Sequence, residues 1–487
     1  MVGSPPVGGI SPDKTSHLSP PEPPAVQSQK GQMSTNTGFD EVQRYVAGID
    51  LAGAADHYVC GPRKDDGSHD IAHFGTTTSE LVRMRQWLRD RKVASVAMES
   101  TGIYWIPVYD MLEAGGIKVV LVDTRQVHMI PGRKSDVKDC QWLQRLHACN
   151  LLHGAFRPPE RYNAIRTIFR ERQNYIDMQT QSIQSLQKGM DQMNIRLHHA
   201  VSDITGDTGM RILGAIVDGE RDPRVLAKMR DRRCKKSESE IAEHLTGNWR
   251  DEHLFTLAQA YETLVFIQER IAAFDRQIRA MFAKLAKESD KPDPPDPEPD
   301  PDMSKSEKQK LKKDAVAKRD LVKLCGFDMT RIDGIDYMTA AAIVAELGTD
   351  LSAFPNEKHF VSYIGLKPPL DKSAGKNVKN RKKFKNTNRV GQILRQAAST
   401  LSKADCELGA RYRCVRSRTC PVTAVKDVAR EMAKRIYRGM RFGQAYVDIG
   451  EEQYLARRRE RMLLSIRKNI SKLAIRAEEL GFIENVG

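Results

Sequence analysis

The chain has 487 residues, 40% of them hydrophobic, which is enough for several domains with filled cores. A formal charge of +15 points to a polyanionic partner, because clustered Lys and Arg release condensed counterions on meeting phosphate. No apolar run approaches the roughly 20 residues of a bilayer span, which excludes a helical membrane protein. The first residues carry no apolar signal-peptide core, and the eight cysteines (60, 140, 149, 234, 325, 406, 414, 420) form no CxxC pair. Neither secretion, a zinc ribbon nor a disulfide framework is expected; a reducing cytoplasm is.

Residues 1–38 are rich in Pro, Ser and Gly without apolar periodicity and read as a disordered leader. From 39 to 155 the pattern is mixed. Strands are expected at Tyr45–Leu51, His57–Cys60 and Ile71–Phe74, then a helix through Leu81, Met84 and Leu88, then a strand from Val93 that ends at Glu99. A helix around Pro107–Ala114, a strand Val119–Val122 and a helix from about Ser135 to Cys149 complete the block. The order β-β-β-α-β-α-β-α is that expected of a ribonuclease H-like α/β fold.

Residues 156–285 read as all-α. Phe169, Ile176, Ile183, Met190 and Leu197 recur every seven residues, with Leu186 and Met193 in the companion position. A second series, Leu257, Leu264, Ile271, Ile278 and Leu285, suggests an antiparallel coiled-coil arm, although Arg172, Gln179 and Gln268 occupy seam positions. Residues 286–318 are expected to be a linker, since DKPDPPDPEPDPD at 290–302 interleaves six prolines with six acids. The last block, 319–487, is helical and basic. Within it IDGIDYMTAAAIVAELG (332–348) reads either as a helix-hairpin-helix element that holds a backbone phosphate or as a tightly packed helical pair.

The chemistry-bearing residues emerge from this frame. In such a sheet the first strand lies beside the fourth, so Asp50 and Glu99 fall on neighbouring strands. KSDVKD opens the last helix with Asp136 and Asp139 at i and i+3, on one helical face. Four carboxylates suit oxygen-loving divalent ions, Mg²⁺ or Mn²⁺, in phosphodiester chemistry. GIDLAG also invites comparison with an actin-like ATPase, but Ala52, Gly53 and Ala54 replace the expected phosphate hairpin. The only DTG, at 207–209, reads as an interhelical turn.

The basic counterpart is DKSAGKNVKNRKKFKNTNRVGQILRQAAS (371–399). From Lys372 to Arg395 it has nine basic residues and no acid, a composition that grips nucleic acid more plausibly than it solvates a face. Its Lys376, Lys379, Arg381, Lys382, Lys383, Lys385, Arg389 and Arg395, together with Arg133 and Lys134 beside the acidic helix, are the expected contacts. Ser373 sits at a flexible turn, where a serine is ordinarily a turn former.

AGIDLAG, VAMESTGIYWIPVYDMLE, VVLVDTRQVHMIPGRKSDVKDCQWLQRLH, FRPPE, SDITGDTGMRIL, GERDP and EKHFVSYIGLKPPLDKSAGK resemble, in the same order, the DEDD-type transposases of the insertion sequence 110 group, close to its 1111 branch. The resemblance runs from about residue 44 to the end. It implies a RuvC-like N-terminal domain, a coiled-coil arm and a C-terminal transposase domain. It maps the Mg²⁺-binding tetrad onto Asp50, Glu99, Asp136 and Asp139, and a serine nucleophile onto Ser373. It further implies donor and target DNA, a structured noncoding bridge RNA, and a homo-oligomer, dimer to tetramer, at the bacterial nucleoid. Two positions depart from many relatives: Ala374 replaces a glycine after the serine, and Asp333 a proline of the hairpin turn. A RuvC-like nuclease using water and a non-catalytic nucleic-acid scaffold are the rival readings.

Overall fold

The computed structural model describes residues 41–53, 55–100, 102–123, 136–294, 305–368, 372–373, 376–377, 388–443 and 450–473, with backbone alone for 136–138, 305–314, 372–373, 376–377, 450–451 and 468–473. The leader, Arg133, Lys134, Lys379, Arg381, Lys382, Lys383 and Lys385 lie outside the described residues. The chain divides into two compact units, one ending at Arg157 and one beginning at Pro158.

The first unit contains β1 (Val46–Asp50), β2 (His57–Arg63), β3 (His69–Phe74), α1 (Thr78–Asp90), β4 (Ser95–Glu99), α2 (Trp105–Ala114), β5 (Lys118–Val122) and α3 (Asp136–Ala148). This is the expected order. The sheet runs β3-β2-β1-β4-β5, with β1 antiparallel to β2 and parallel to β4, and β4 parallel to β5. The fourth strand starts two residues later than its apolar pattern suggests. Lys92 turns the chain at φ +55°, and Val93 donates its N–H back to Leu88 O at 3.1 Å, so Val93 ends the helix turn instead of joining the strand. Helix α2 begins before Pro107, which sits in the first turn where its missing N–H has no intrahelical partner to lose.

Strand alternation sorts the two faces. Ala47, Ile49, Val96, Met98, Val119 and Leu121 pack with Leu81, Met84, Leu88, Val108 and Leu112 of α1 and α2. The other face, with Ala97, Val120 and Val122, packs against Leu143 and Leu146 of α3. Gly48 belongs to this second face, since it pairs with Ala97.

The second unit begins with α4 (Glu160–Gln192), α5 (Leu197–Ala200), α6 (Asp207–Val217), α7 (Pro223–Lys228), α8 (Glu238–His244) and α9 (Asp251–Lys287). Helices α4 and α9 pack antiparallel. Ser182 Oγ donates to Ala260 O at 2.8 Å, the rings of Tyr175 and Phe274 lie 5.2 Å apart, and Arg172 pairs with Asp275. Thus a polar seam residue has a charged partner across the pair. Phe169, Leu186, Met190, Leu257, Leu264 and Ile278 are buried. Leu197 leaves the heptad, because Asn194 turns at φ +58° after α4 ends. It packs with Ile212, Leu213, Ile216, Leu226 and Ile241 of the intervening small helices, in a core that also takes in Leu186, Met190, Leu257 and Leu264 from the ends of α4 and α9. Asp207–Gly209 is the first turn of α6, not a strand-borne phosphate loop.

The remainder comprises α10 (Lys305–Cys325), α11 (Tyr337–Leu347), α12 (Glu357–Tyr363), β6 (Lys372–Ser373), β7 (Lys376–Asn377), α13 (Arg389–Thr400), α14 (Glu407–Arg416), α15 (Pro421–Phe442) and α16 (Gly450–Leu473). Helix α10 starts inside the segment assigned to the linker, since the chain after Lys305 holds no Pro or Gly and is rich in helix-forming Lys, Glu, Gln and Ala. The start of the Pro-rich insertion is held to its last turns by Lys323–Asp293 (3.0 Å) and by Lys291 Nζ donating to Leu324 O (2.8 Å). Ala340, Ala341, Ile343, Val344 and Ala345 of α11 are fully buried. Among the described residues no helix is long and apolar enough to cross a membrane.

Candidate active site and nucleic-acid interface

Asp50 is the last residue of β1 and Glu99 the last of β4. The register pairs Ile49 with Met98, and one step further along it Asp50 stands opposite Glu99. Because side chains alternate along a strand, both carboxylates share the face of Gly48 and Ala97, the face that α3 covers.

Three contacts fix the direction of α3. Ser95, the first residue of β4, meets His147 near the helix end, Oγ to Nε2 at 2.8 Å. In mid-helix, a Cβ on Gly48 would run into the carbonyl oxygen of Cys140 and the amide nitrogen of Gln144, so glycine is what lets helix backbone touch strand backbone. The Cys60 thiol, on the strand beside Gly48, donates to Gly61 O at 3.6 Å and lies next to that of Cys140, and burial pushes its pKa well above the usual thiol range. The helix therefore runs antiparallel to β1 and β4, and its first turn, with Asp136 and Asp139, lies toward the strand ends that carry Asp50 and Glu99. Asp139 is half-buried; of Asp136 the backbone alone is described.

Neighbouring residues brace this edge. Ser100 donates its N–H (3.0 Å) and Oγ–H (3.1 Å) to Val122 O, closing the end of β4 against β5. Ala52 N–H donates to His57 Nδ1 at 3.2 Å, which ties down the turn after Asp50. His57 is 3% exposed, and burial lowers its pKa below the usual imidazole value, as suits a neutral ring that accepts at Nδ1. Sequence reasoning did not single out His57 or Asp123. The latter follows β5 at the same sheet edge. Its signal was available: VAGID, SVAME and KVVLVD are three apolar strands that each run into an acid.

A cleft lies at the other end of the sheet, lined by Ser95, Tyr109, Lys118, His147 and Arg157 among others. It is separate from the strand-terminal acids. Among the described residues, no group of three or more His, Cys, Asp or Glu stands together as a ready metal cage. The donors that are brought to one edge are carboxylate oxygens, the set that Mg²⁺ and Mn²⁺ prefer over softer metals.

In the second unit, Ser373 is the last residue of β6 and pairs with Lys376 of β7, while Lys372 pairs with Asn377. A two-stranded ribbon thus carries the serine, with Ala374 and Gly375 between the strands. Helix α13 begins at Arg389, capped by Asn388, whose side chain accepts from Gly391 N at 3.2 Å. Arg389 is exposed and Arg395 half-buried. The 332–348 segment packs tightly. Gly334, at φ +81°, leaves no room for a Cβ, which would sit 2.9 Å from Ala397 O of α13, and Asp336 caps α11 by accepting from Thr339 N at 2.7 Å.

Two family models match the chain: one for DEDD-type IS110 transposases, described as "Transposase", over residues 47–195, and one described as "Transposase IS116/IS110/IS902 family" over residues 328–413. No curated protein matches it. The first match covers every strand of the sheet, α3 and α4; the second covers α11, α12, the serine ribbon and α13. The chain is therefore similar, in order, to two transposase-domain models of the insertion sequence 110 group, which supports a DNA-processing enzyme of the transposase or recombinase kind.

Proposed function

We propose that the chain is the recombinase of an insertion sequence, cutting and rejoining DNA by serine transesterification under RNA guidance. The observation that supports it most is the convergence of two strand-terminal acids and the acidic first turn of α3 on one sheet edge, in a chain that also carries a serine on a ribbon bordered by uncompensated cations. Asp50, Glu99, Asp136 and Asp139 would hold Mg²⁺ or Mn²⁺, which would supply Lewis acidity at a phosphate oxygen.

In this reading the Ser373 Oγ attacks a DNA phosphorus. A P–O bond to the departing strand breaks, the serine proton goes to solvent or a nearby base, and the departing oxygen takes up a proton from solvent to leave as a hydroxyl. A strand hydroxyl later attacks the phosphoserine and releases the serine, which conserves the phosphodiester through the exchange. Lys376, Lys379, Arg381, Lys382, Lys383, Lys385, Arg389 and Arg395, with Arg133 and Lys134, bind DNA and a structured noncoding RNA of the element. The working form is a homo-oligomer in the bacterial cytoplasm, at the nucleoid.

The test is a denaturing gel of the full chain with its element's RNA and labelled donor DNA nicked opposite the exchange point. A protease-sensitive shifted band that Ser373→Ala lacks is the expected result. Free cleaved ends from Ser373→Ala would mean that water attacks, and that the protein is a nuclease. Neutralising Lys379, Arg381, Lys382 and Lys383 should flatten the salt dependence of binding by up to about 0.9 log units for each duplex phosphate that they neutralise in the parent; an unchanged slope would make the run a solvated face.

A further inference from the structure

The loop after Glu99 exposes apolar surface beside the acids. Ile103 is 70% and Tyr104 49% exposed, on a turn that Gly102 makes possible at φ +57° and that Trp105 Nε1–H fixes by donating to Gly102 O at 3.1 Å. The Tyr104 ring lies over Gly53, in the loop after Asp50. A Cβ on Gly53 would meet three of its ring carbons at 2.6, 2.8 and 3.0 Å. One aromatic ring therefore bridges the two loops that follow the two strand-borne carboxylates. The ring is seated by a missing side chain on one side and open to solvent elsewhere, with an aliphatic neighbour beside it.

An acidic edge repels DNA, so a strand held there needs attraction that is not ionic. Aromatic rings offer it through base stacking that tolerates any sequence, and exposed aliphatic side chains wedge between base steps. A phosphate at the carboxylates sets its own neighbouring base within reach of the adjoining loop. We propose that Tyr104, with Ile103 as a wedge, is a nucleobase platform that holds the DNA base next to the exchanged phosphate out of its helical stack. The proposal rests on the recombinase reading for the identity of the phosphate, and Tyr104 acts in it as a positioning residue.

The test uses the full chain, its element's RNA and a donor-end duplex with 2-aminopurine on either side of the exchange point. In an Asp50→Ala background, binding should raise the fluorescence of one 2-aminopurine as it leaves the stack; adding Tyr104→Ala or Ile103→Ser should lose that change, and Tyr104→Phe should keep it. In otherwise wild-type protein, Tyr104→Ala should slow cleavage of fully paired DNA by about 10- to 100-fold, and a mismatch at the flanking base should restore most of the rate. Thermal melting of each variant checks folding. Unstacking without any cleavage by wild type would sink the recombinase reading and leave the platform standing. Cleavage with no Tyr104-dependent fluorescence change, equal slowing on paired and mismatched DNA, or a response only from 2-aminopurine placed in the RNA would overturn the platform.

Discussion

The acid edge of the first unit and the serine ribbon of the second, the two parts of the proposed site, are built by opposite means. The acids sit on strand ends and a helix turn whose positions follow from backbone contact: Gly48 admits α3, Cys60 meets Cys140, and Ser95 meets His147. The ribbon around Ser373 is two strands of two residues each, joined by two residue pairs, Lys372 with Asn377 and Ser373 with Lys376, in a stretch of sequence rich in like charges. Were these carboxylates to share cations, as proposed, they would have to be held against mutual repulsion, which calls for a stiff frame. In the proposed mechanism, a serine that must reach a phosphate and then release it gains from a short carrier flanked by cations that attract the polyanion.

The largest expected effect tests the functional half of that contrast. Asp50→Ala should reduce strand cleavage by at least about 10³-fold while leaving nucleic-acid affinity and melting temperature near wild type, because in the proposed mechanism the carboxylates act on charge developing at the phosphate. Gel-based cleavage and binding assays at saturating Mg²⁺ read it. Near wild-type cleavage, or undiminished activity of the parent in excess chelator, would remove the metal-assisted mechanism.

A second change strikes the frame. Gly48→Val places a branched side chain where Cys140 O and Gln144 N already sit. It should destabilise the first unit by about 3 kcal/mol and lower cleavage through the displaced first turn of α3. Denaturant unfolding followed at Trp142 on α3 would measure it. An unperturbed unfolding midpoint would show that helix and sheet do not need their close approach.

How far the sequence spoke for each region follows from what each is made of. Strands β1, β4 and β5 were legible because apolar runs of about five residues end abruptly at acids, and α3 because its acids and apolar positions share a helical period. Starts were less legible: Lys92 adopts a left-handed turn that no alternation pattern encodes, and His57 appears in sequence as an ordinary strand residue. In the second unit the heptads at 169–190 and 257–285 mark two long helices, but the period runs on through Leu197 while the chain turns away at Asn194. Local turns override periodicity there. The pairing of Ser373 with Lys376 left no sequence signal beyond a glycine, and the role of the serine came from resemblance alone.

A third prediction concerns pH. His147 is 4% exposed, and burial, reinforced by Lys118, pushes its pKa from 6.5 down to about 4. The unfolded chain binds this proton near 6.5 and the folded one only near 4, so between those values the unfolded state holds more protons and stability falls with falling pH. The stabilisation is complete above about 6.5 and diminishes by up to about 3 kcal/mol as pH approaches 4. His57 and His69 are shifted the same way and share part of the window, so the informative quantity is the difference between wild type and His147→Gln, which keeps a partner for Ser95. That difference should shrink toward pH 4, and hydrogen exchange in β4 and α3 should report it. A difference independent of pH would mean that His147 titrates normally.

The smallest effect belongs to the second unit, and it asks whether ion pairs there do what backbone contact does in the first. Arg170 of α4 forms two parallel bonds to Glu346 of α11, Nε to Oε1 at 3.0 Å and Nη2 to Oε2 at 2.9 Å. The Glu346 side chain is 12% exposed and that of Arg170 43%, so solvent screens the pair from one side and its worth is about 1 kcal/mol, despite the bidentate geometry. Close by, the Tyr162 hydroxyl and Thr349 Oγ1 lie 3.0 Å apart and Gly348 packs on the Tyr162 ring, so the helices keep apolar contact without the salt bridge. A double-mutant cycle with Arg170→Ala and Glu346→Ala, read by chemical unfolding, should give a coupling of about 1 kcal/mol that weakens as salt is raised. Zero coupling would leave α4 and α11 joined by packing alone. A coupling of several kcal/mol would make this junction as firmly determined as the Gly48 contact, and the contrast between the two units would then fail at the point where α4 meets the domain that carries the serine.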